Sequence, residues 1–297
     1  MANASITRAL LFSITRTLLF SAALALVTFA VLLVIKTAVS SLAGGDALAF
    51  EIAVLQIEDR HTPMIDAFIA HNGRQASRQQ GIHHVVNTEG IADLPPYWWK
   101  VFGLQRLMAE RSGGGSPPSA AKGGAGTPSA AKGSERSSWP LRGADLVMWL
   151  DSDAYLTPDA AKNVRELARD GSKIMWLSPD APRFDSPFCA GSFVIRNDER
   201  GRRLVDDWAA LYDPDRWEKD AETGAWRAKG EWAGPDYEQG AFTLHLLSRP
   251  EIASLPWCTF SEVECGSPCE GSISVHLAGP YKDERWEACA DIIAKDP

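Results

Sequence analysis

The chain has no excess of positive charge and no basic block. Its 297 residues carry 30 Lys and Arg against 38 Asp and Glu, a formal net charge of −8 with a pI near 5.3. Such a chain lacks the electrostatic footprint of a nucleic-acid binder, so nucleic acid is excluded as a partner. Cysteine is scarce as well: of five, Cys258, Cys265, Cys269 and Cys289 crowd into the last forty residues and Cys189 stands alone. The Cys-x6-Cys-x3-Cys spacing is not a familiar zinc pattern. In an oxidising compartment these four would form two disulfides, with three possible connectivities.

The third lack is of charge between Thr17 and Ile35, a stretch dominated by Leu, Ala, Val and Phe. At about 1.5 Å per residue it just spans a hydrocarbon core of roughly 30 Å. Arg8 and Arg16 precede it and only Lys36 follows closely, which places the N-terminus on the cytoplasmic side. Ala47-Leu48-Ala49 has the look of a cleavage site, but it lies far beyond the end of a run that already exceeds a signal-peptide core of about 7–15 residues. The expected organisation is a cytoplasmic tail (1–16), a transmembrane signal anchor (17–36), a stalk (37–49) and one domain over 50–297.

Within that domain the apolar runs alternate in type. Phe50–Ile57 reads as a buried strand, Pro63–His71 as a helix with Met64, Ile65, Phe68 and Ile69 at helical spacing, and Gly81–Asn87 as a second strand. Pro95-Pro96-Tyr97-Trp98-Trp99-Lys100 opens a helix that continues to Met108. Composition then changes to Gly, Ser, Ala, Pro and Lys over 112–138, where Pro-Ser-Ala-Ala-Lys-Gly occurs twice. Such a segment buries too little apolar surface to offset its ordering entropy and reads as a disordered surface insertion. Beyond it, strands are expected at Leu146–Leu150, Lys173–Leu177, Gly191–Arg196 and Ser272–His276, and helices after Thr157-Pro158, over Asp198–Leu211 and over Asp236–Leu247. Asp213–Pro235, polar and rich in Trp, reads as a long loop. Eleven tryptophans are many for this length, and Trp98, Trp99, Trp217, Trp226 and Trp232 stand in polar neighbourhoods suited to stacking on sugars or bases. Strands alternating with helices predict an α/β fold with a mostly parallel open sheet.

The chemistry concentrates at Asp151-Ser152-Asp153, directly after the apolar run Leu146–Leu150. Two carboxylates at i and i+2 beyond a buried strand are costly without a cation between them, and oxygen ligands suit manganese or magnesium. Open α/β sheets bind ligands outside the carboxyl ends of their strands, which is where this pair falls. An aspartyl-phosphate phosphatase also places D-x-D after a strand, but expects Thr or Val soon after, where this chain has Ala154-Tyr155. A second element, His276-x-x-Gly279-x-x-Lys282, supplies an imidazole for the metal shell, a glycine for close backbone approach and a point charge for phosphate.

Together these residues resemble the metal-dependent glycosyltransferases of the GT-A fold, and most of all the galactosyl/mannosyl/xylosyl-transferase family of Golgi type II membrane enzymes. The shared elements are Trp98-Trp99-Lys100, Trp149-Leu150-Asp151-Ser152-Asp153-Ala154 and Gly191-Ser192-Phe193-Val194-Ile195-Arg196-Asn197; the His276-Gly279-Lys282 element is similar to glycogenin-type retaining transferases. The resemblance implies Mn²⁺ (or Mg²⁺) held by Asp151, Asp153 and His276, and a UDP- or GDP-sugar donor contacted by Lys100, Asp153, Gly279 and Lys282. It further implies Asp236, Glu238 and Gln239 near the transferred sugar, a glycan or glycoprotein acceptor, retention of configuration, and a lumenal catalytic domain in the Golgi or elsewhere in the secretory pathway. Cys189 departs from the pattern, since relatives carry Asn there. The rival from another class is a membrane-anchored, non-catalytic sugar- or nucleotide-binding protein.

Overall fold

Strands β1 (Ile52–Ile57) and β3 (Leu146–Leu150) are buried along their whole length, so every apolar residue of each must find apolar company on one sheet face or the other, while Gln56 must find hydrogen-bond partners. The alternation of side chains along a strand divides them cleanly. Ala53, Leu55, Val147, Trp149, Phe193 and Ile195 enter one core, while Ile52, Val54, Leu146, Met148, Leu150 and Val194 enter another. The structure, a computed structural model, describes residues 50–109, 143–260, 269–277 and 282–295. The expected tail, anchor and stalk (1–49) and the repeat insertion (112–138) lie outside the described residues. Among the described residues no helix is long and apolar enough to cross a membrane.

The central sheet has six strands in the order β2 (Ile82–Asn87), β1, β3, β6 (Ser192–Arg196), β5 (Met175–Leu177), β9 (Ile252–Ser254). Five run in one direction; β6 alone is antiparallel to both neighbours. The expected mixed α/β sheet, mostly parallel, is therefore what forms. Helix α1 (Pro63–Arg78) starts where Thr62 Oγ accepts the Ile65 amide at 3.2 Å and Pro63 takes the first turn. Helix α2 (Pro96–Ala109) lies on the first core, with Gly103 allowing close approach to Ile57. Helix α3 (Ala160–Ala168) covers the second core, and α4 (Glu199–Ala209), capped by Asp198, packs on α2. Helices α5 (Glu238–His245) and α6 (Lys282–Lys295) complete the set.

Three expectations change. A strand, β4 (Ala154–Leu156), intervenes between Asp153 and α3, and it pairs antiparallel with β10 (Ser274–His276). Thr157 accordingly does not cap α3; its hydroxyl donates to the Ser272 carbonyl at 2.8 Å. The stretch expected as a loop contains a hairpin, β7 (Trp217–Lys219) with β8 (Trp226–Ala228). Two disulfides among the last four cysteines do not form, because Cys258 is a free thiol while Cys289 is disulfide-bonded.

Candidate metal centre

The parallel strands deliver their carboxyl ends to one edge, and the reversed β6 brings its amino end to the same edge. The Leu150–Ser192 pairing sets Gly191 beside Asp151, whose amide donates to the Gly191 carbonyl at 2.7 Å. Across the β4–β10 ladder His276 is the partner of Ala154, and the Leu277 amide donates to the Asp153 carbonyl at 2.9 Å. A histidine more than a hundred residues downstream is thereby fixed beside the D-x-D turn. Its Nε2 lies 3.2 Å from Asp153 Oδ1 and 3.9 Å from Asp151 Oδ2. One ligand atom each from Asp151, Asp153 and His276 can be chosen so that all three lie within 4.8 Å of one another. This is a nitrogen-and-two-oxygen donor set of the kind a borderline or hard divalent ion takes.

Each ligand is held by a second group. Asp151 Oδ1 accepts from Trp149 Nε1 at 2.5 Å and pairs with Lys100 Nζ at 3.3 Å, which turns Oδ2 towards the imidazole. His276 is buried, with Nδ1 3.4 Å from Cys189 Sγ. Burial disfavours the imidazolium, but Cys189 and Asp153 outweigh it and raise the proton affinity of His276 well above the ordinary histidine value. Gly191 is required here: a Cβ at that position would run into the His276 ring. Ser152, between the two aspartates, turns away and donates its hydroxyl to Glu58. Burial alone would raise the Glu58 carboxyl, but hydrogen bonds from Arg60 and Ser152 hold it below its ordinary value.

Lys100 is almost wholly buried and has three acceptors: Asp151 Oδ1, Glu238 Oε1 at 3.0 Å and the Ala190 carbonyl at 2.9 Å. An ammonium has three donors, so these contacts use its capacity, and Lys100, on the cleft wall, braces the ligand shell. Burial opposes its charge, but the two carboxylates outweigh that and hold it protonated. Burial likewise raises the carboxyl of Glu238, against the pull of Lys100. Gln239 spans the Ser186 hydroxyl and the Ala190 amide at the cleft wall. Asp236 is not on that wall: Arg216 binds its Oδ1 at 2.9 Å, and its carbonyl accepts from Trp98 and Trp217. Gly279 lies outside the described residues, as does the side chain of Lys282.

A cleft of about 920 Å³ opens over these residues. Six carboxylates (Glu58, Asp59, Asp151, Asp153, Asp180 and Glu238) line it against Lys100 and Arg60, an acidic excess that favours a cation. Asp180 escaped the sequence reading. It follows β5 at the same sheet edge as Asp151 follows β3, and burial raises its carboxyl against Cys189, His276 and Gln239. The rule that ligands gather at carboxyl ends of strands could have found it, together with Glu58 and Arg60 after β1. Of the tryptophans expected to stack, Trp98 and Trp217 are buried away from the cleft, whereas Trp226, Trp232 and the largely buried Trp99 line it.

No family model and no curated protein matches the sequence. A solved structure does match in fold: a glycosyltransferase involved in the glycosylation of the major capsid of PBCV-1, with a TM-score of 0.52 and 13% identity, over 80% of this chain and 98% of that one. The chain thus shares the fold of a glycosyltransferase.

Proposed function

We propose that the protein is a metal-dependent glycosyltransferase that moves a sugar from a nucleoside-diphosphate donor to a glycan hydroxyl. The observation that carries this reading is the Asp151–Asp153–His276 triad, set at the ligand-binding edge of a glycosyltransferase fold. When bound, a manganese ion would act as Lewis acid on the diphosphate and stabilise the charge that develops as the nucleoside diphosphate departs. The chain's own residues do the rest. Trp149 and Lys100 orient Asp151, and Cys189 holds the far nitrogen of His276 so that Nε2 faces the carboxylates. Arg60, the guanidinium on the cleft wall among the described residues, adds positive potential. Gly279 and Lys282 keep their proposed diphosphate contacts on the family resemblance.

Retention of configuration is part of the proposal and rests on the same resemblance. The two carboxylates that the resemblance places near the transferred sugar are already engaged, Glu238 by Lys100 and Asp236 by Arg216, which makes neither a ready general base. Asp180 and Gln239 face the cleft and are assigned to the sugar hydroxyls. The stretch 17–36, uncharged from Thr17 to Ile35, is proposed as a signal anchor with the catalytic domain in the lumen of the secretory pathway, supported by the flanking Arg8 and Arg16 and by the disulfide at Cys289.

The test is a panel of UDP- and GDP-sugars screened for Mn²⁺-dependent hydrolysis. One donor should turn over, and Asp153→Ala should lose at least a hundredfold in rate while its circular dichroism is unchanged. Undiminished turnover in that variant rules out the site.

A further inference from the structure

Among the described residues only three large hydrophobic side chains are well exposed: Tyr97, Trp232 and Leu244. Two of the three line the same cleft as the metal ligands, and Trp232 is 70% exposed. An indole left this open costs hydration free energy unless something covers it in use. The rings are not scattered. Trp232 packs edge-to-face on Tyr97 with centroids 5.2 Å apart and on Tyr237 at 5.0 Å, and Tyr97 meets Tyr237 at 5.0 Å. Tyr97 belongs to the first turn of α2, one turn before Lys100, and Tyr237 directly precedes Glu238 and Gln239. The cluster is therefore built on the two helix starts that brace Asp151. Trp232 itself is presented by a tight turn, closed by the Gly234 amide on the Glu231 carbonyl at 3.0 Å, with Ala233 in the left-handed region at φ 56°.

We infer that Trp232, with Tyr97 and Tyr237, is a platform for a neutral pyranose ring of the acceptor glycan, resting on the transferase reading only for the acceptor's role. A sugar ring offers an apolar C–H face and a rim of hydroxyls, which matches an aromatic face beside phenol hydroxyls. The residues that would hold the metal are buried or partly buried, whereas Trp232 is open, so the outer ring is the one placed to meet the reactant that arrives from solvent. Charge selects within the class. With six carboxylates on the cleft wall, a uronic acid or a phosphorylated sugar whose charge does not meet the metal is repelled, and a neutral hexose or pentose is not. A nucleobase also has a stackable face, so the experiment must tell the two apart.

The probes are methyl β-galactoside, methyl α-mannoside, methyl β-xyloside and methyl β-glucuronoside, observed by saturation-transfer NMR on the full chain. At least one neutral glycoside should receive saturation and the glucuronoside none. Trp232→Ala should weaken that binding about tenfold, the scale of one ring-face contact, while Trp232→Phe should keep most of it. Because Trp232 is solvent-facing, neither variant threatens folding. Calorimetry of Mn²⁺ with UDP and with GDP on the same samples should show no change in the Ala variant. Neutral glycosides that bind equally well to wild type and Trp232→Ala, or a loss confined to the nucleotide, overturn the platform and leave the transferase reading intact. Platform binding without any Mn²⁺-nucleotide binding overturns the transferase reading instead.

Discussion

Cys189 and His276 show how one side chain conditions another. A partner on the other ring nitrogen fixes the tautomer and orientation in which the imidazole presents Nε2 to a cation, and here that partner is sulfur at 3.4 Å. Cys189→Ala should weaken Mn²⁺ affinity roughly tenfold, the lower end of the loss usual for such supporting contacts, while Cys189→Ser should recover part of it. Manganese EPR titration reads this without any substrate. A second residue, His84, ties the site to pH. Its Nε2 lies 2.5 Å from Gln56 Oε1, and burial lowers its pKa to about 4. Unfolded chains carry histidine near 6.5, so between 6.5 and 4 the unfolded state binds a proton that the folded state refuses. The stability concerned is complete above about 6.5, drains away as pH falls to about 4, and amounts to about 3 kcal/mol. Urea midpoints at pH 7 and pH 4.5 should fall much less in His84→Gln than in the wild type; equal falls contradict the assignment. The lone Cys189 was legible only as a departure from a family pattern, because nothing local in the sequence says which histidine a thiol will meet.

At the scale of elements, β4 and β10 decide whether the site exists. β10 falls within the strand expected at Ser272–His276, but β4 is three residues long, too short for periodicity to register, and Thr157-Pro158 reads as a helix start. That is why the strand between Asp153 and α3 was not visible in the sequence. What holds β4 is a side chain acting as a neighbouring strand. Asn72 on α1 accepts from the Leu156 amide at 2.8 Å and donates to the Ala154 carbonyl at 3.0 Å and to Gln56 Oε1 at 3.1 Å. Gln56 in turn donates to the Asp151 carbonyl at 3.1 Å. Asn72→Ala strips buried backbone groups of β4 of their partner and should cost about 3 kcal/mol in chemical denaturation. Manganese affinity should fall with it, since Asp153 sits at the head of that strand. Full metal affinity in a destabilised Asn72→Ala would mean that the ladder does not position the ligands. The hairpin β7–β8 was hidden for the same reason as β4, its strands being too short to show a period of two.

Over the whole molecule, the α/β alternation was legible because β1 and β3 are buried on both faces and announce themselves as apolar runs, unbroken in β3 and interrupted in β1 only by Gln56. The direction of β6 was not, since strand propensity carries no sign for parallel or antiparallel pairing. Yet that reversal brings Gly191 and Cys189 to the edge where Asp151 ends β3. The pairing of D-x-D with a distant histidine was readable as a resemblance and is now a geometry, with Lys100 bracing Asp151 and Glu238 from the cleft wall and Asp236 behind that wall. A divalent ion that binds only the folded chain must also stabilise it, by RT ln(1 + [ion]/Kd). Saturating Mn²⁺ at a hundred times its Kd should therefore add about 2.7 kcal/mol to wild-type unfolding, and much less to His276→Ala. The most direct measurement of the central claim is calorimetric titration of UDP and GDP into the full chain with and without Mn²⁺. One nucleotide should bind in the presence of the metal only, and the binding should vanish in Asp153→Ala. Nucleotide binding that ignores both the metal and the substitution, or no nucleotide binding at all, would contradict it.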